Sequence, residues 1–279
     1  MSLDSLPLLA LHKPHTPDLI AELQSALRRY GAFRLAAPQN TQERLSEVLT
    51  KAREFFDQPS DVKTKTKGYS PFASESIRGR TAIPKESIYF FCDDTEPEKM
   101  QPEFHHIVKA LHEEWTPIRL QLLDTVSQVL NSSTPLTGSP LLDSATMGIH
   151  YYDSETLHSS PDFSPAHVDS GTLTILFRSY TDNDGLEIAD LHSTQKRDSA
   201  GIGADASFAP VPTARNEAPE VIVFAGNTIQ RLVGSDRVRA CVHRVRGPGK
   251  GGDKRRLSIV LFCAPSALST QRSLSRASN

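Results

Sequence analysis

The chain has 279 residues, 38% of them hydrophobic, and a formal net charge of −2. That length is ample for a buried core, and so small a charge gives no global reason to expect a nucleic-acid or anionic-membrane partner. Three widely spaced cysteines, Cys92, Cys241 and Cys263, speak against a disulfide scaffold. With no basic leader and no apolar run near the roughly 20 residues that span a bilayer, the expectation is a soluble cytoplasmic protein.

The first half reads as mostly helical. Thr16-Pro17-Asp18 is a helix start, with a capping hydroxyl, a proline at the first position and an acid near the positive end of the dipole. Leu19, Leu23, Ala26, Leu27 and Tyr30 follow at helical spacing until Gly31. A short strand, AFRLAA, comes next. Leu45, Val48, Leu49, Ala52 and Phe56 then mark a second helix that ends before Pro59. Residues 60–95 are mixed and turn-rich. A long helical stretch covers about 102–131, striped by Ile107, Leu111, Trp115, Leu120, Leu123, Val126 and Leu130. Pro117 is expected to kink or break it, because proline lacks a backbone donor and clashes with the preceding turn.

The second half is built of short runs rich in Val, Ile, Leu and aromatics: ATMGIHYYD, GTLTILFRSY, GLEIADL, EVIVFAGNTI, RVRACVHRVRG and RRLSIVLFCAP. Strands in such a series predict a barrel or jelly roll. Residues 191–219 read as a long polar loop, and 266–279 as a polar, disordered tail. The chain thus divides into an N-terminal helical and mixed region (1–135), a β core (136–265) and the tail.

Within HVDSGTLTILF, His167 and Asp169 stand two apart. Ten histidines and 33 acids in 279 positions produce about one such pair by accident, so backbone context must decide. The chain's other pair, His112 and Glu114, falls inside a helix, where residues two apart point away from each other. His167 and Asp169 fall at a strand end, where they can grip one ion. His243, on RVRACVHRVRG, supplies a third ligand. Two imidazoles and one carboxylate form the facial triad of non-haem Fe(II) oxygenases, leaving metal positions open for cosubstrate and oxygen. Downstream, Arg256 and Ser258 share a strand face. A guanidinium beside a hydroxyl is a receptor for a carboxylate, such as one end of a small diacid.

On these residues the chain resembles the Fe(II)/2-oxoglutarate-dependent dioxygenases of the isopenicillin-N-synthase-like type, over about residues 6–265. ALRRYGAFRLAAP, KAREFFDQPSDVKTK and GYSPF look like that family's N-terminal region. HVDSGTLTILF, GLEI, VIVFAGNTIQ, VHRV and RRLSIVLFCAP fall in its order. The resemblance implies a double-stranded β-helix, a cupin-like jelly roll with the helical region packed around it. It also implies iron held by His167, Asp169 and His243, 2-oxoglutarate bound through Arg256, Ser258 and Tyr152, and O2 as oxidant. The expected activity is oxidation of a small-molecule metabolite, by hydroxylation, desaturation or ring closure, in specialised metabolism. His150 stands where the family has Asn and reads as structural. Asn227 replaces a usual Asp.

Three other readings stay open: an Fe(II) oxidase of the same fold that needs no 2-oxoglutarate, a non-catalytic small-molecule-binding barrel, and a zinc hydrolase. The hydrolase lacks a general base at convincing spacing. Residues 191–219 serve either as a solvated loop or as a cover over the substrate mouth. Substrate contacts are expected from 68–92 and from the face around Phe177 and Phe224. The oligomeric state is not legible.

Overall fold

The computed structural model describes residues 6–77, 83–91, 102–132, 136, 144–153, 162–177, 185–191, 207–211, 219–247 and 255–263. The expected tail and most of 191–219 lie outside these residues. In the N-terminal half, strand β1 (Leu8–Leu9) precedes helix α1 (Pro17–Arg29), strand β2 (Ala32–Ala36), helices α2 (Thr41–Phe56) and α3 (Ser60–Lys63), strands β3 (Tyr69–Ser70) and β4 (Lys85–Phe91), and helix α4 (Pro102–Val129). The core strands follow: β5 (Ala145–Asp153), β6 (Asp162–His167), β7 (Leu173–Phe177), β8 (Leu186–Asp190), β9 (Ser207–Pro210), β10 (Glu220–Ala225), β11 (His243–Arg246) and β12 (Arg255–Cys263). A short helix, α5 (Asn227–Val233), interrupts them.

Among the described residues the strands form two sheets. One runs β1-β2-β10-β7-β12-β5-β4-β3, the other β6-β11-β8-β9. From β5 onward the chain crosses back and forth between the sheets, leaving four strands in each, which is a double-stranded β-helix. The N-terminal region is not merely packed around it, because β1 and β2 extend the large sheet on one edge and β3 and β4 on the other.

Strand alternation gives the large sheet two different faces. Ile88 and Phe90, Met147 and Ile149, Ile175 and Phe177, Val221 and Val223, Ile259 and Leu261 join the main core. They share it with Val48, Val108, Leu111, Trp115 and Leu123 from the helices. Trp115 is fully buried and meets Phe177 edge-on at 4.7 Å. The opposite face looks into the barrel, where Leu176, Ile222, Phe224 and Val260 pack with Leu186 and Ile188 of the small sheet.

The local signals act as read at α1: the Thr16 hydroxyl accepts from the Leu19 amide at 3.2 Å and Pro17 opens the helix. Gly31 ends the segment at φ +66°, and a β-carbon there would lie 2.2 Å from the Arg239 carbonyl oxygen. Only glycine permits both the left-handed backbone and that approach. α4 is continuous across Pro117, so the proline does not break it; a buried face on both sides of the proline outweighs one lost hydrogen bond. Two expectations fail. β9 forms within 191–219, paired antiparallel with β8. Its residues alternate weakly, and the partner strand it depends on is invisible to local reading. The strand expected across RVRACVHRVRG is also shorter, beginning only at His243.

Candidate metal centre and its cavity

His167 ends β6 and His243 begins β11, and the two are register partners across the small sheet. Their rings lie 4.3 Å apart. Asp169 follows in the turn to β7. That turn is clamped from the start of α5: the Asn227 amide donates to the Asp169 carbonyl at 2.8 Å, Gly226 to Thr172 at 2.9 Å and Thr228 to Gly171 at 3.0 Å. The Thr228 hydroxyl adds a bond to the Ser170 carbonyl at 2.7 Å. Asn227 therefore acts here through its backbone, which its departure from the family's Asp leaves intact. α5 itself was missed in the sequence; GNT after a strand was the available signal.

One ligand atom from each of His167, Asp169 and His243 lies within 4.8 Å of the others. Hydrogen bonds explain the convergence. His167 Nδ1 lies 2.8 Å from the Pro165 carbonyl and His243 Nδ1 lies 3.3 Å from that of Cys241. A carbonyl only accepts, so each Nδ1 carries the proton and each Nε2 keeps its lone pair for a metal. The Thr174 hydroxyl donates to Asp169 Oδ2 at 2.6 Å, leaving Oδ1 on the side of His167 Nε2, 3.8 Å away. Burial, reinforced by His243, pushes His167 down to about 4, so its imidazole is neutral at physiological pH, the form a metal requires. Phe224 stacks on His243 with centroids 4.5 Å apart. The donor set, nitrogen-rich with one carboxylate, fits a divalent transition metal such as iron.

The three residues line a cavity of about 960 Å³. Arg256, Ser258 and Tyr152 line it too, so all six expected site residues meet in one chamber. Arg256 pairs with Tyr152 across β12 and β5, and its guanidinium stands 5.4 Å from the centre of the tyrosine ring. Phe224 faces the cavity as expected. Phe177 does not: strand parity turns it to Trp115 and the helices, and Thr174 and Leu176 face inward instead. From 68–92 the wall receives Tyr69, Glu75, Lys85 and Tyr89 among others.

Lys85, Glu75 and Tyr89 were not singled out in the sequence, whereas His150, expected near the metal pocket from its place in the motif, does line the cavity. Lys85 Nζ meets Glu75 Oε2 at 2.9 Å, and the Tyr89 hydroxyl donates to the same carboxylate at 3.1 Å. Burial favours the neutral acid, but Lys85 and His150, with hydrogen bonds from Lys85 and Ser87, bring Glu75 down to about 2. Burial likewise opposes charge on Lys85, yet Tyr89, Tyr152 and Glu75 hold its pKa above the ordinary lysine range. His150 is held well below the usual histidine value, by burial first and by Lys85 second.

The fold has counterparts among known proteins. Residues 5–110 match the family model described as the N-terminal region of non-haem dioxygenases in morphine synthesis. No curated protein matches by sequence. Among solved structures, a putative 2OG-Fe(II) oxygenase family protein of Caulobacter crescentus is 20% identical, with a TM-score of 0.69 over 94% of this chain and 87% of its own. A full-length Neurospora crassa protein crystallised in complex with alpha-KG is 19% identical, with a TM-score of 0.67 over 95% and 87%. The rice dioxygenase for auxin oxidation is 20% identical, with a TM-score of 0.66 over 93% and 83%. The fold is that of the 2-oxoglutarate/Fe(II) oxygenases. The double-stranded β-helix and the resemblance drawn from the motifs both stand in three dimensions. Within this fold His167 and His243 come from two paired short strands and Asp169 from the turn after the first.

Proposed function

We propose that the chain is an Fe(II)- and 2-oxoglutarate-dependent dioxygenase that oxidises a small molecule. The observation that carries this is the convergence of His167, Asp169 and His243 in the same chamber as Arg256 and Ser258. Iron and 2-oxoglutarate, when bound, supply oxygen activation coupled to oxidative decarboxylation. The protein's own residues do the rest. His167 and His243 present Nε2 and Asp169 presents Oδ1. Thr174 and the carbonyls of Pro165 and Cys241 hold those three atoms in place. Arg256 and Ser258 hold the distal carboxylate, with Tyr152 beside them. Phe224, Leu176 and Val260 keep water from the inner wall.

Solved relatives support a small-molecule substrate. The Neurospora crassa protein has been crystallised with alpha-KG and thymine and with alpha-KG and 5-formyluracil, and JOX2 with 2OG, Fe and JA. A cavity of about 960 Å³ leaves room for such a molecule beside a five-carbon diacid. Oxidation of a specialised metabolite is the reading that the resemblance supports, and a cytoplasmic setting the one that the sparse cysteines support.

The test is anaerobic titration of the metal-free protein with Fe(II) and then 2-oxoglutarate, following the visible charge-transfer band of a metal-chelated keto acid. One iron per chain and a band lost in His167→Ala support the reading. One iron without a band transfers it to an oxidase that needs no 2-oxoglutarate, and no bound iron refutes it.

A further inference from the structure

Among the described residues that line the cavity, four side chains besides the histidines are ionic: Glu75 and Asp169 are negative, Lys85 and Arg256 positive. On the functional reading, Asp169 serves the iron and Arg256 the distal carboxylate of 2-oxoglutarate. A dication and a dianion cancel, so loading leaves the formal charge of the cavity unchanged. Glu75 and Lys85 are then the ionic groups that meet a substrate.

These two are bound to each other. Lys85 Nζ lies 2.9 Å from Glu75 Oε2, and both side chains are largely buried. The backbone fixes the pair as well: the Ala73 amide donates to the Lys85 carbonyl at 3.1 Å and the Ile83 amide to that of Glu75 at 3.3 Å. Their hydrogen-bonding capacity is unevenly used. Glu75 accepts from Lys85, from the Tyr89 hydroxyl at 3.1 Å and from Ser87. Ser87 has thus given its one proton to Glu75, so across 2.9 Å it accepts from His150 Nδ1. A protonated Nδ1 is no acceptor for Lys85, 3.5 Å away. Glu75 is therefore the acceptor that Lys85 holds among the described residues, and an ammonium has three protons to give. On the other side of β5 the wall turns apolar, with Val260 and Phe262 on β12, Leu176 on β7 and Phe224 on β10.

We propose that the substrate is an uncharged molecule with an apolar body and an oxygen acceptor, such as an amide or ketone carbonyl, that Lys85 anchors this oxygen, and that Glu75 excludes acids. This rests on the functional reading above. A carboxylate at Lys85 would be buried beside the carboxylate of Glu75, and an ammonium at Glu75 beside that of Lys85. Either ion would leave water for a site whose opposite charge is already paired. A carbonyl leaves only a hydrogen bond to water and regains one from Lys85. The apolar body is matched by the β12, β7 and β10 side of the wall.

The experiment is a calorimetric titration of anaerobic protein loaded with Fe(II) and 2-oxoglutarate. The probes are matched sets on phenyl, naphthyl and cyclohexyl skeletons: the substituted acetic acid, its primary amide and the corresponding ethylamine. Wild type is expected to bind the best amide about tenfold or more tightly than the acid or amine of the same skeleton. Glu75→Gln leaves an uncompensated ammonium and is expected to raise acid affinity about tenfold. Lys85→Met leaves an uncompensated carboxylate, and is expected to raise amine affinity and lower amide affinity about tenfold each. A pair that only supported the fold would move all three classes together. Wild type that takes acids or amines as well as amides, or takes no amide, overturns the proposal, and so does a folded variant whose preference is unchanged. If one variant does not fold, the other and the wild type still decide. Uptake of 2-oxoglutarate is measured first: a wild type that takes up none takes down the functional reading, whereas a loaded wild type that prefers an ion takes down this inference alone.

Discussion

Strand β4 carries a buried lysine–glutamate contact on each of its faces, and the two are used differently. Toward the helices, Glu86 meets Lys63 at 2.8 Å and accepts from the Tyr69 hydroxyl. Lys63 also donates to the Phe56 carbonyl at 2.9 Å, so its ammonium has both carboxylate oxygens and a carbonyl as acceptors. Toward the cavity, Lys85 meets Glu75 at 2.9 Å, and its second neighbour, His150 Nδ1, is 3.5 Å away. The same pair of residue types thus ties β4 to the helices on one face and lines the cavity on the other. The pairing does not decide between the roles; the neighbours do.

The largest expected effect lies on the helix face. Lys63→Met strands the Glu86 carboxylate, and loss of one partner of a sealed pair costs about 3–5 kcal/mol. Denaturant unfolding measures it, and 2-oxoglutarate affinity of the folded protein is expected to be unchanged. A Lys63→Met chain with impaired affinity at full stability would break the comparison.

Lys85→Met is expected to cost less stability, about 1–3 kcal/mol, because Glu75 keeps Tyr89 and Ser87 and faces the cavity. The same unfolding measurement checks it. The substitution is also expected to weaken amide binding in the loaded cavity, a change absent from the Lys63 variant.

The third test is acid. Glu75 is held down to about 2 in the folded chain. A depressed carboxylate stabilises the fold fully above its unfolded pKa, about 4.3, and that contribution fades as pH falls from there toward 2. In Glu75→Gln the fall in unfolding free energy across that window is expected to be shallower than in wild type.

The smallest effect is expected at an exposed pair. Lys109 lies 3.7 Å from Glu113 on the solvent side of α4, and Lys109→Ala should shift stability by about 0.5 kcal/mol or less. This control separates the worth of a buried pair from that of a surface one.

The candidate metal centre was legible because His167, Asp169, His243 and the Arg256–Ser258 pair sit in short motifs that follow one another in order. The sequence carried the helices through caps and apolar spacing, as at Thr16 and along Leu111, Trp115 and Val126. It did not carry β4, because KESIYFF places charges or hydroxyls on both faces and reads as a turn-rich mixture. Buried pairing of those charges is a tertiary fact: Glu75 lies ten residues before Lys85, and Lys63 lies 23 before Glu86. β9 was hidden likewise, its strand character depending on β8. Phe177 was assigned to the wrong face, since an apolar run buried on both sides has no visible parity.

Strand β12 lies between β7 and β5, the only link joining the two halves of the large sheet among the described residues. It is also the last of the described strands to be synthesised. Until residues 255–263 leave the ribosome, β5-β4-β3 and β1-β2-β10-β7 have no shared edge, and two apolar strand edges stand open in the nascent chain. The strand bearing Arg256 and Ser258 therefore both lines the cavity and closes the large sheet. A chain stalled before it lacks not a peripheral segment but the seam that makes one sheet of two.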